Sequence, residues 1–334
     1  MKVMIVTDAW KPQVNGVVTT LGKIDEGLIR LGHETCFVTP QLFKSIPCPT
    51  YPEIRLSLLP YAGVSREIEA FAPDALHIAT EGPLGLAARR YCLKHKVAFT
   101  SAFHTRFAEY VHARIRIPVD LTYRWLRNFH APSSALMVPT PSVQRDLEAR
   151  GFTNTVAWTR GVDTQTFSPG GRDALADRRP IFLYVGRVAV EKNVEAFLKL
   201  DLPGTKWVVG EGPMRAQLER RYPHVHFAGI KTPAELARYY RAADVFVFPS
   251  LTDTFGLVML ESLACGTPVA AFPVLGPVDV IGESGAGILH ENLAIACIRA
   301  LDISREKARH YAEQFSWRES IDQFARNLTP ATAA

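Results

Sequence analysis

No apolar run in this 334-residue chain reaches the length of about 18 residues that a membrane-spanning helix needs. The opening Met1-Lys-Val-Met-Ile-Val-Thr-Asp-Ala9 turns polar too soon for a secretory leader and reads as a buried strand. Cysteine is scarce. The five present (Cys36, Cys48, Cys92, Cys265, Cys297) are scattered, and none has metal-type or redox-type spacing, so reduced thiols and a cytoplasmic setting are expected. No G-x-G-x-x-G follows a strand. Gly210-Glu-Gly212-Pro-Met-Arg215 fails at the third glycine, which argues against a nicotinamide or flavin cofactor. Asp-x-Asp is absent, as is any His/Asp/Glu cluster at metal spacing, so neither a bound metal nor a cofactor is expected. With no repeat at solenoid period and no low-complexity tract, the length suits two ordinary globular domains.

What the chain does have is alternation. Apolar strand-like runs at 1–6, 35–38, 75–77, 97–100 and 136–138 are interleaved with helix-like segments at 17–31, 83–93 and 142–149. A polar stretch runs through residue 177, and a second series then begins: strands at 181–185, 206–209, 225–228 and 244–248, helices at 191–200, 213–221, 233–241 and 255–264. Such alternation predicts α/β architecture, with parallel sheets covered by helices on both faces. Two series imply two facing Rossmann-like domains, with ligands at the carboxyl ends of the strands in an interdomain cleft.

The most informative stretch is 249–269, which follows the buried strand Asp244-Val-Phe-Val-Phe248. Thr252-Asp253-Thr254 offers capping side chains, and Phe255-Gly256-Leu257 is expected to form the first helical turn, a site for an anion. Glu261 lies further along among Met259, Leu260, Leu263 and Ala264. A carboxylate on so apolar a helix calls for a partner, and the hydroxyls of a ribose would serve. Asp253 and Glu261 are poorly spaced for a glycosidase pair. Eight helical residues rise about 12 Å, whereas hydrolases hold their carboxyls about 5 to 9.5 Å apart.

Strand 181–185 ends in Gly186-Arg187, and Glu191-Lys192-Asn193 opens the next helix. A guanidinium fork and an ammonium at one strand-to-helix loop suit a diphosphate, the alternative being plain surface solubility. Gly16, in the loop after the first strand, either lets backbone approach a ligand or serves as a turn glycine. His104 follows a strand end and reads either as a structural histidine or as a ligand contact.

The formal net charge of +5 resides in residues 1–165, with 19 Lys+Arg against 14 Asp+Glu; residues 166–334 carry 19 of each. Residues 89–127 hold nine basic side chains (Arg89, Arg90, Lys94, Lys96, Arg106, Arg114, Arg116, Arg124, Arg127) interleaved with Tyr91, Phe107, Tyr110, Tyr123 and Trp125. The band fits either solvated helix faces or a surface for an anionic membrane. Nucleic acid is not expected, since no helix-turn-helix, RNA-binding or zinc signature accompanies the charge.

Taken together, the motifs resemble those of the retaining family 4 glycosyltransferases of GT-B architecture, over residues 1–328. They are Thr-Asp-x-x-x-Pro-x-x-Asn-Gly-Val (7–17), Phe-His-Thr (103–105), Arg-Gly-Val-Asp (160–163), Val-Gly-Arg (185–187), Glu-Lys-Asn (191–193), Gly-x-Gly-Pro (210–213) and Ala-Asp-Val-Phe-Val-Phe-Pro-Ser (243–250). The resemblance implies a nucleotide-sugar donor whose diphosphate is bound by Arg187 and Lys192 and whose ribose is held by Glu261. It has Asp253 and the amides around Phe255, Gly256, Leu257 and Val258 orient the transferred sugar, and the backbone near Lys231 face the base. Gly16 would approach the phosphates, and His104 the sugar near the reacting carbon. The family's carboxylate pair is usually two glutamates; here the first is Asp253, as in a subgroup resembling GDP-mannose-dependent α-mannosyltransferases and glycolipid-forming enzymes.

The implied domains are 1–162 on the acceptor side, a linker at 163–179, 180–313 on the donor side, and a helix at 314–330 returning to the first domain. The implied reaction carries a hexose, mannose from GDP first and glucose or glucuronic acid from UDP next, to a lipid-linked or glycerolipid acceptor. Its expected place is cytoplasmic, peripheral on the inner face of the cell membrane through 89–127. A soluble sugar or metabolite transferase, and a non-catalytic nucleotide-sugar-binding protein, are the competing readings.

Overall fold

The computed structural model describes residues 1–48 and 51–331. Its strands are β1 (Lys2–Val6), β2 (Glu34–Val38), β3 (Ser45–Cys48), β4 (Tyr51–Ser57), β5 (Ala75–Ile78), β6 (Thr100–Ala102), β7 (Ala135–Val138), β8 (Thr155–Ala157), β9 (Ile181–Val185), β10 (Thr205–Val209), β11 (His226–Phe227), β12 (Val245–Phe248), β13 (Val269–Ala271) and β14 (Gly287–Leu289). The α-helices are α1 (Gly16–Arg30), α2 (Tyr61–Phe71), α3 (Pro83–His95), α4 (Phe107–Ile115), α5 (Val119–His130), α6 (Pro141–Ala149), α7 (Val194–Leu198), α8 (Arg215–Arg221), α9 (Pro233–Ala242), α10 (Leu257–Ala264), α11 (Pro277–Val280), α12 (Leu293–Ala300), α13 (Arg305–Ala312) and α14 (Trp317–Asn327).

The chain divides into two compact units. The first comprises Met1–Ala108, Ile117–Thr159 and the stretch from Arg318; the second comprises Glu109–Arg116 and Arg160–Trp317. Residues 163–179, read from sequence as a linker, are counted within the second unit.

Each unit is built on a six-stranded parallel sheet. The order in the first is β2-β1-β5-β6-β7-β8, and in the second β11-β10-β9-β12-β13-β14. Strands such as Ile181-Phe-Leu-Tyr-Val185 and Val245-Phe-Val-Phe248 are apolar at every position because both faces are covered. Alternate residues go to opposite layers. Ile181, Leu183 and Val185 join a core with Met259, Leu260 and Leu263 of α10, while Phe182 and Tyr184 join one with Phe197, Leu198 and Ala296. In the first unit, Met4, Val6, Leu76 and Ile78 pack with Leu84, Ala88 and Phe129. In both sheets the strand order reverses beside the first strand, between β1 and β5 and between β9 and β12, and ligand sites form at such reversals.

The departures from the sequence pattern have local causes. The strand expected at 97–100 starts later. Lys96 ends α3 in the left-handed region (φ 55°), and the Val97 amide is spent on the Cys92 carbonyl at 2.9 Å. The helix expected at 191–200 is broken by Asn193 (φ 52°) into a 3₁₀ turn, Val190–Lys192, and the short α7. The antiparallel pair β3–β4 had no sequence signal, because Pro47 and Pro52 argue against strand.

The last helix, α14, is anchored to the first unit. Trp158 Nε1 donates to the Ser320 carbonyl at 3.1 Å, and the Thr159 amide donates to Gln323 Oε1 at 2.8 Å. Phe324 is fully buried, 5.0 Å from the Trp158 ring and 4.9 Å from His77. Truncating such an aromatic costs about 3–5 kcal/mol. Phe324→Ala should therefore lower the urea midpoint of the transition that reports on the first unit. An unchanged midpoint would show that α14 contributes nothing to that fold.

Candidate functional site

The reversal between β9 and β12 brings two loops side by side in the second unit. Arg187 and Lys192 come from the loop after β9, and Asp253 and α10 from the segment after β12. Lys192 Nζ lies 2.5 Å from Asp253 Oδ1 and 3.0 Å from the Tyr110 hydroxyl, with both partners inside the same unit. Burial works against the ammonium, but Asp253 and Tyr110 outweigh it, so Lys192 keeps its proton well above the usual lysine range. Asp253 Oδ2 and Ser250 Oγ are buried and find no hydrogen-bond partner among the described residues. Buried polar atoms in native proteins are nearly always satisfied, so Asp253 Oδ2, orphaned beside the Lys192 ammonium, is open to a further hydrogen-bond donor.

The scaffold of this pair is redundant. Asn193 Nδ2 donates to the Pro249 carbonyl at 3.0 Å, and Thr252 Oγ1 to the Glu191 carbonyl at 3.1 Å, which ties the two loops together. The buried Glu191 carboxylate accepts from Arg114 Nη2 at 2.9 Å. Gly276 adopts φ 90°, and a Cβ there would sit 2.7 Å from the Asp253 carbonyl oxygen.

Helix α10 begins two residues later than its sequence suggests. Gly256 is the N-cap (φ 86°) and no side chain caps it, so Phe255 and Gly256 precede the helix and Leu257 and Val258 open it. Thr252 and Asp253 do not cap, because Thr252 is bound to the preceding loop and Asp253 to Lys192. The amides of that first turn thus lack a side-chain acceptor. Further along α10, half-buried Glu261 accepts from the Tyr240 hydroxyl at 3.0 Å. Burial lifts its carboxyl from the ordinary 4.5 to about 7, against the lowering effect of that hydrogen bond.

Lys231 stands apart, just before α9 and beyond edge strand β11, with Nζ 5.7 Å above the Tyr239 ring. Gly16 and His104 belong to the first unit. Gly16 is the exposed first residue of α1, behind Asn15, whose side chain accepts from Val17 and Val18. His104 is half-buried after β6, with its ring edge-on to Trp158 at 5.4 Å.

The basic band at 89–127 is not one surface. Arg89 donates to the Phe129 and Asn128 carbonyls, Arg127 to that of Arg150, and Arg90 covers Tyr61 at 4.5 Å. Arg114 belongs to the second unit. What faces solvent on α5 is Asp120, Arg124, Arg127 and Asn128 beside Leu121 (57% exposed) and Trp125 (38%), with Phe107 (40%) 6.2 Å from the Trp125 ring. Among the described residues, no helix is long and apolar enough to cross a membrane.

Comparison with known proteins decides the family. Residues 14–166 match the model described as Glycosyltransferase Family 4, and residues 179–302 the model described as Glycosyl transferases group 1. A GDP-mannose-dependent alpha-mannosyltransferase of Mycobacterium tuberculosis is 30% identical over 315 residues, covering 86% of this chain and 83% of that protein. The chain is a family 4 glycosyltransferase. An alpha-monoglucosyldiacylglycerol synthase of Streptococcus pneumoniae is 25% identical, covering 98% of this chain and 84% of that one. Among solved structures, a sucrose-phosphate synthase from Thermosynechococcus elongatus superposes with TM-score 0.79 at 20% identity, covering 97% of both chains. Anabaena HepE in complex with UDP-glucose gives 0.74 at 15%, covering 98% of both. The fold class is GT-B, as the motifs led one to expect.

The candidate site includes residues without a role in the sequence pattern. Tyr110 and Arg114 were read only as members of the basic band, although their i, i+4 spacing puts them on one face of α4. Glu191 was quoted in a motif without a role, and Tyr240, on α9, gave no signal. The raised Glu261 carboxyl carries a consequence for stability. A group that binds its proton more tightly when folded favours the fold below pH 4.5, and that contribution is lost as the pH rises through about 7. Glu261→Gln keeps an acceptor for Tyr240 and removes the charge. It should raise the melting temperature of the unliganded transferase at pH 8, with the gain vanishing near pH 5; a gain that is equal at both pH values would refute the assignment.

Proposed function

We propose that this glycosyltransferase is retaining and metal-independent, and that it moves a hexose from a nucleotide-diphosphate sugar to a lipid-linked or glycerolipid acceptor. The observation that carries the donor half is the orphaned Asp253 Oδ2 beside Lys192, at the strand-order reversal and next to an uncapped helix start. Lys192, Arg187 and the first-turn amides of α10 supply positive charge for a leaving diphosphate, so the charge developing on the departing oxygen has donors already in place. Asp253 accepts hydroxyls of the transferred sugar, Glu261 those of the ribose, and the backbone near Lys231 borders the base. His104 and Gly16 keep the roles that the family resemblance gives them, contact with the sugar and with the phosphates.

Retention is the part of the reading that the family resemblance supplies, and the way Asp253 is held bears on whether a covalent intermediate forms. With Oδ1 on Lys192 at 2.5 Å, the carboxylate is an engaged hydrogen-bond acceptor rather than a free nucleophile. We therefore read the transfer as a same-face attack by the acceptor hydroxyl as the diphosphate departs. GDP-mannose is the first candidate donor, because mannosyltransferases that use it are among the relatives. UDP-glucose and UDP-glucuronic acid come next. Thermal-shift titration with these sugars should single out one, and Lys192→Ala should weaken it by about 1.5–3 kcal/mol, roughly 10- to 100-fold. Turnover should survive EDTA and give the α-anomer. Equal shifts by all donors in wild type and variant, or turnover abolished by EDTA, would overturn the reading.

The acceptor half rests on the α5 surface and on the glycolipid-forming relatives. Aromatic and aliphatic side chains bordered by arginines suit the interface of an anionic membrane, which supports a peripheral position on the inner, cytoplasmic face. Sedimentation with phosphatidylglycerol vesicles should be strong at low salt and weaker at high salt, and Trp125→Ala with Arg124→Ala should abolish it. A protein that stays in the supernatant at low salt would instead be a soluble sugar or metabolite transferase.

A further inference from the structure

The second unit includes one segment whose sequence neighbours on both sides belong to the first. The chain counts with the first unit up to Ala108 and again from Ile117, while Glu109–Arg116, most of α4, counts with the second. Apolar packing does not account for that placement. Ala108 is the one buried residue of α4, and Phe107 and Ile115 are 40% and 60% exposed. A helix with so little buried apolar surface is held by its polar contacts.

Two of those contacts go to a single 3₁₀ turn, Val190–Lys192. Tyr110 Oη accepts from Lys192 Nζ at 3.0 Å, and the centre of its ring is 5.6 Å from the same nitrogen. Arg114 lies one helical turn further on, with its guanidinium 5.6 Å from the Tyr110 ring. It donates through Nη2 to Glu191 Oε1 at 2.9 Å. The Glu191 side chain is 1% exposed, and a carboxylate so far from water needs a cation to hold it there. The consequence lies in how Lys192 spends its protons. An ammonium has three N–H bonds. Asp253 takes one and Tyr110 another, and the third has no acceptor among the described residues. Two fixed partners set the direction of that third bond; with Asp253 alone, the ammonium and its long stem would regain rotational freedom. Arg114 acts on the backbone of the same turn. It holds the Glu191 side chain while the Glu191 carbonyl accepts from Thr252 Oγ1 at 3.1 Å, so the residue before Lys192 is fixed from two directions.

We propose that Tyr110 and Arg114 are positioning residues for Lys192, and that α4 is the strap through which they aim its remaining N–H at an anionic ligand. The proposal rests on the reading of Lys192 as a ligand of the donor diphosphate, and it is tested both without and with nucleotide. Without nucleotide, reductive methylation of the full chain is followed by peptide mass spectrometry. Lys192 should react slowly in wild type and several-fold faster in Tyr110→Phe, which keeps the ring and loses the hydroxyl. With nucleotide, GDP-mannose and UDP-glucose are titrated in turn by calorimetry. The tighter of the two should be weakened about 10-fold by Tyr110→Phe and by Arg114→Gln, as for loss of one hydrogen bond to a charged group, with Arg114→Lys in between. Both losses should vanish in a Lys192→Ala background, because a positioning group then has nothing to position. Weakening by Tyr110→Phe that is equal with and without Lys192, or a methylation rate that the variant leaves unchanged, overturns the proposal. Donor binding that Lys192→Ala weakens and neither strap variant alters sinks this inference alone. Failure of both sugar nucleotides to bind the wild-type chain sinks the donor reading, while the methylation rates still decide whether Tyr110 holds the lysine.

Discussion

The cluster at the strand-order reversal of the second unit is organised by a single ion pair, Lys192 with Asp253. Each side chain is less than 20% exposed, at 19% and 17%, so both charges have surrendered most of their water. A pair in that position returns its desolvation cost only with close geometry and further hydrogen bonds, and removing one member is costlier than never having had either. Tyr110 adds a third group on the ammonium at 3.0 Å, while Asp253 Oδ2 stays unsatisfied. The unliganded cluster is therefore balanced on the lysine and incomplete on the carboxylate. A hydroxylated ligand would complete it without having to displace the pair.

That incompleteness has a counterpart on α10. Glu261 has one hydrogen bond, from Tyr240, and sits where burial favours its neutral form. A fold selected for stability alone would place glutamine or leucine there. Two carboxylates, each short of donors and eight residues apart on one strand-to-helix segment, are what the proposed contacts to sugar and ribose hydroxyls would use. Sugar and ribose lie at the two ends of a nucleotide sugar's diphosphate, and the cations stand at that same sheet reversal.

Much of this was legible in the sequence because parallel α/β folds write their plan in apolar runs. Ile181–Val185 and Val245–Phe248 are buried on both faces and read as strands with hardly any error in their ends. Arg187, Lys192, Asp253 and Glu261 could be grouped because each follows or closely trails such a strand. The partners could not be read. Tyr110 reaches Lys192 across 82 residues, and Tyr240 reaches Glu261 from a different helix, so no local spacing betrays either. The same limit explains the basic band. Charge along the chain says nothing about which arginines cap carbonyls, and Arg89 and Arg127 turned out to do so. The start of α10 was misplaced for a related reason. Thr-Asp-Thr is a good capping string, but the tertiary pull of Lys192 and of the Glu191 carbonyl took two of its side chains.

The two units also show how one architecture yields two kinds of pocket. In the second, two parallel strands, β10 and β11, continue the sheet beyond β9, so the loop after β9 is flanked on both sides and its site opens at the reversal. In the first, the sheet stops one strand beyond β1, and β2 is the edge. Where the second unit places its next parallel strand, the first has an antiparallel pair, β3–β4, which joins no strand of that sheet. Such a pair leaves the ends of β1 and β2 partly uncovered and brings its own side chains, Ser45 and Arg55, over them. A cavity lined by Trp10, Lys11, Gln41 and Arg55 adjoins that antiparallel pair.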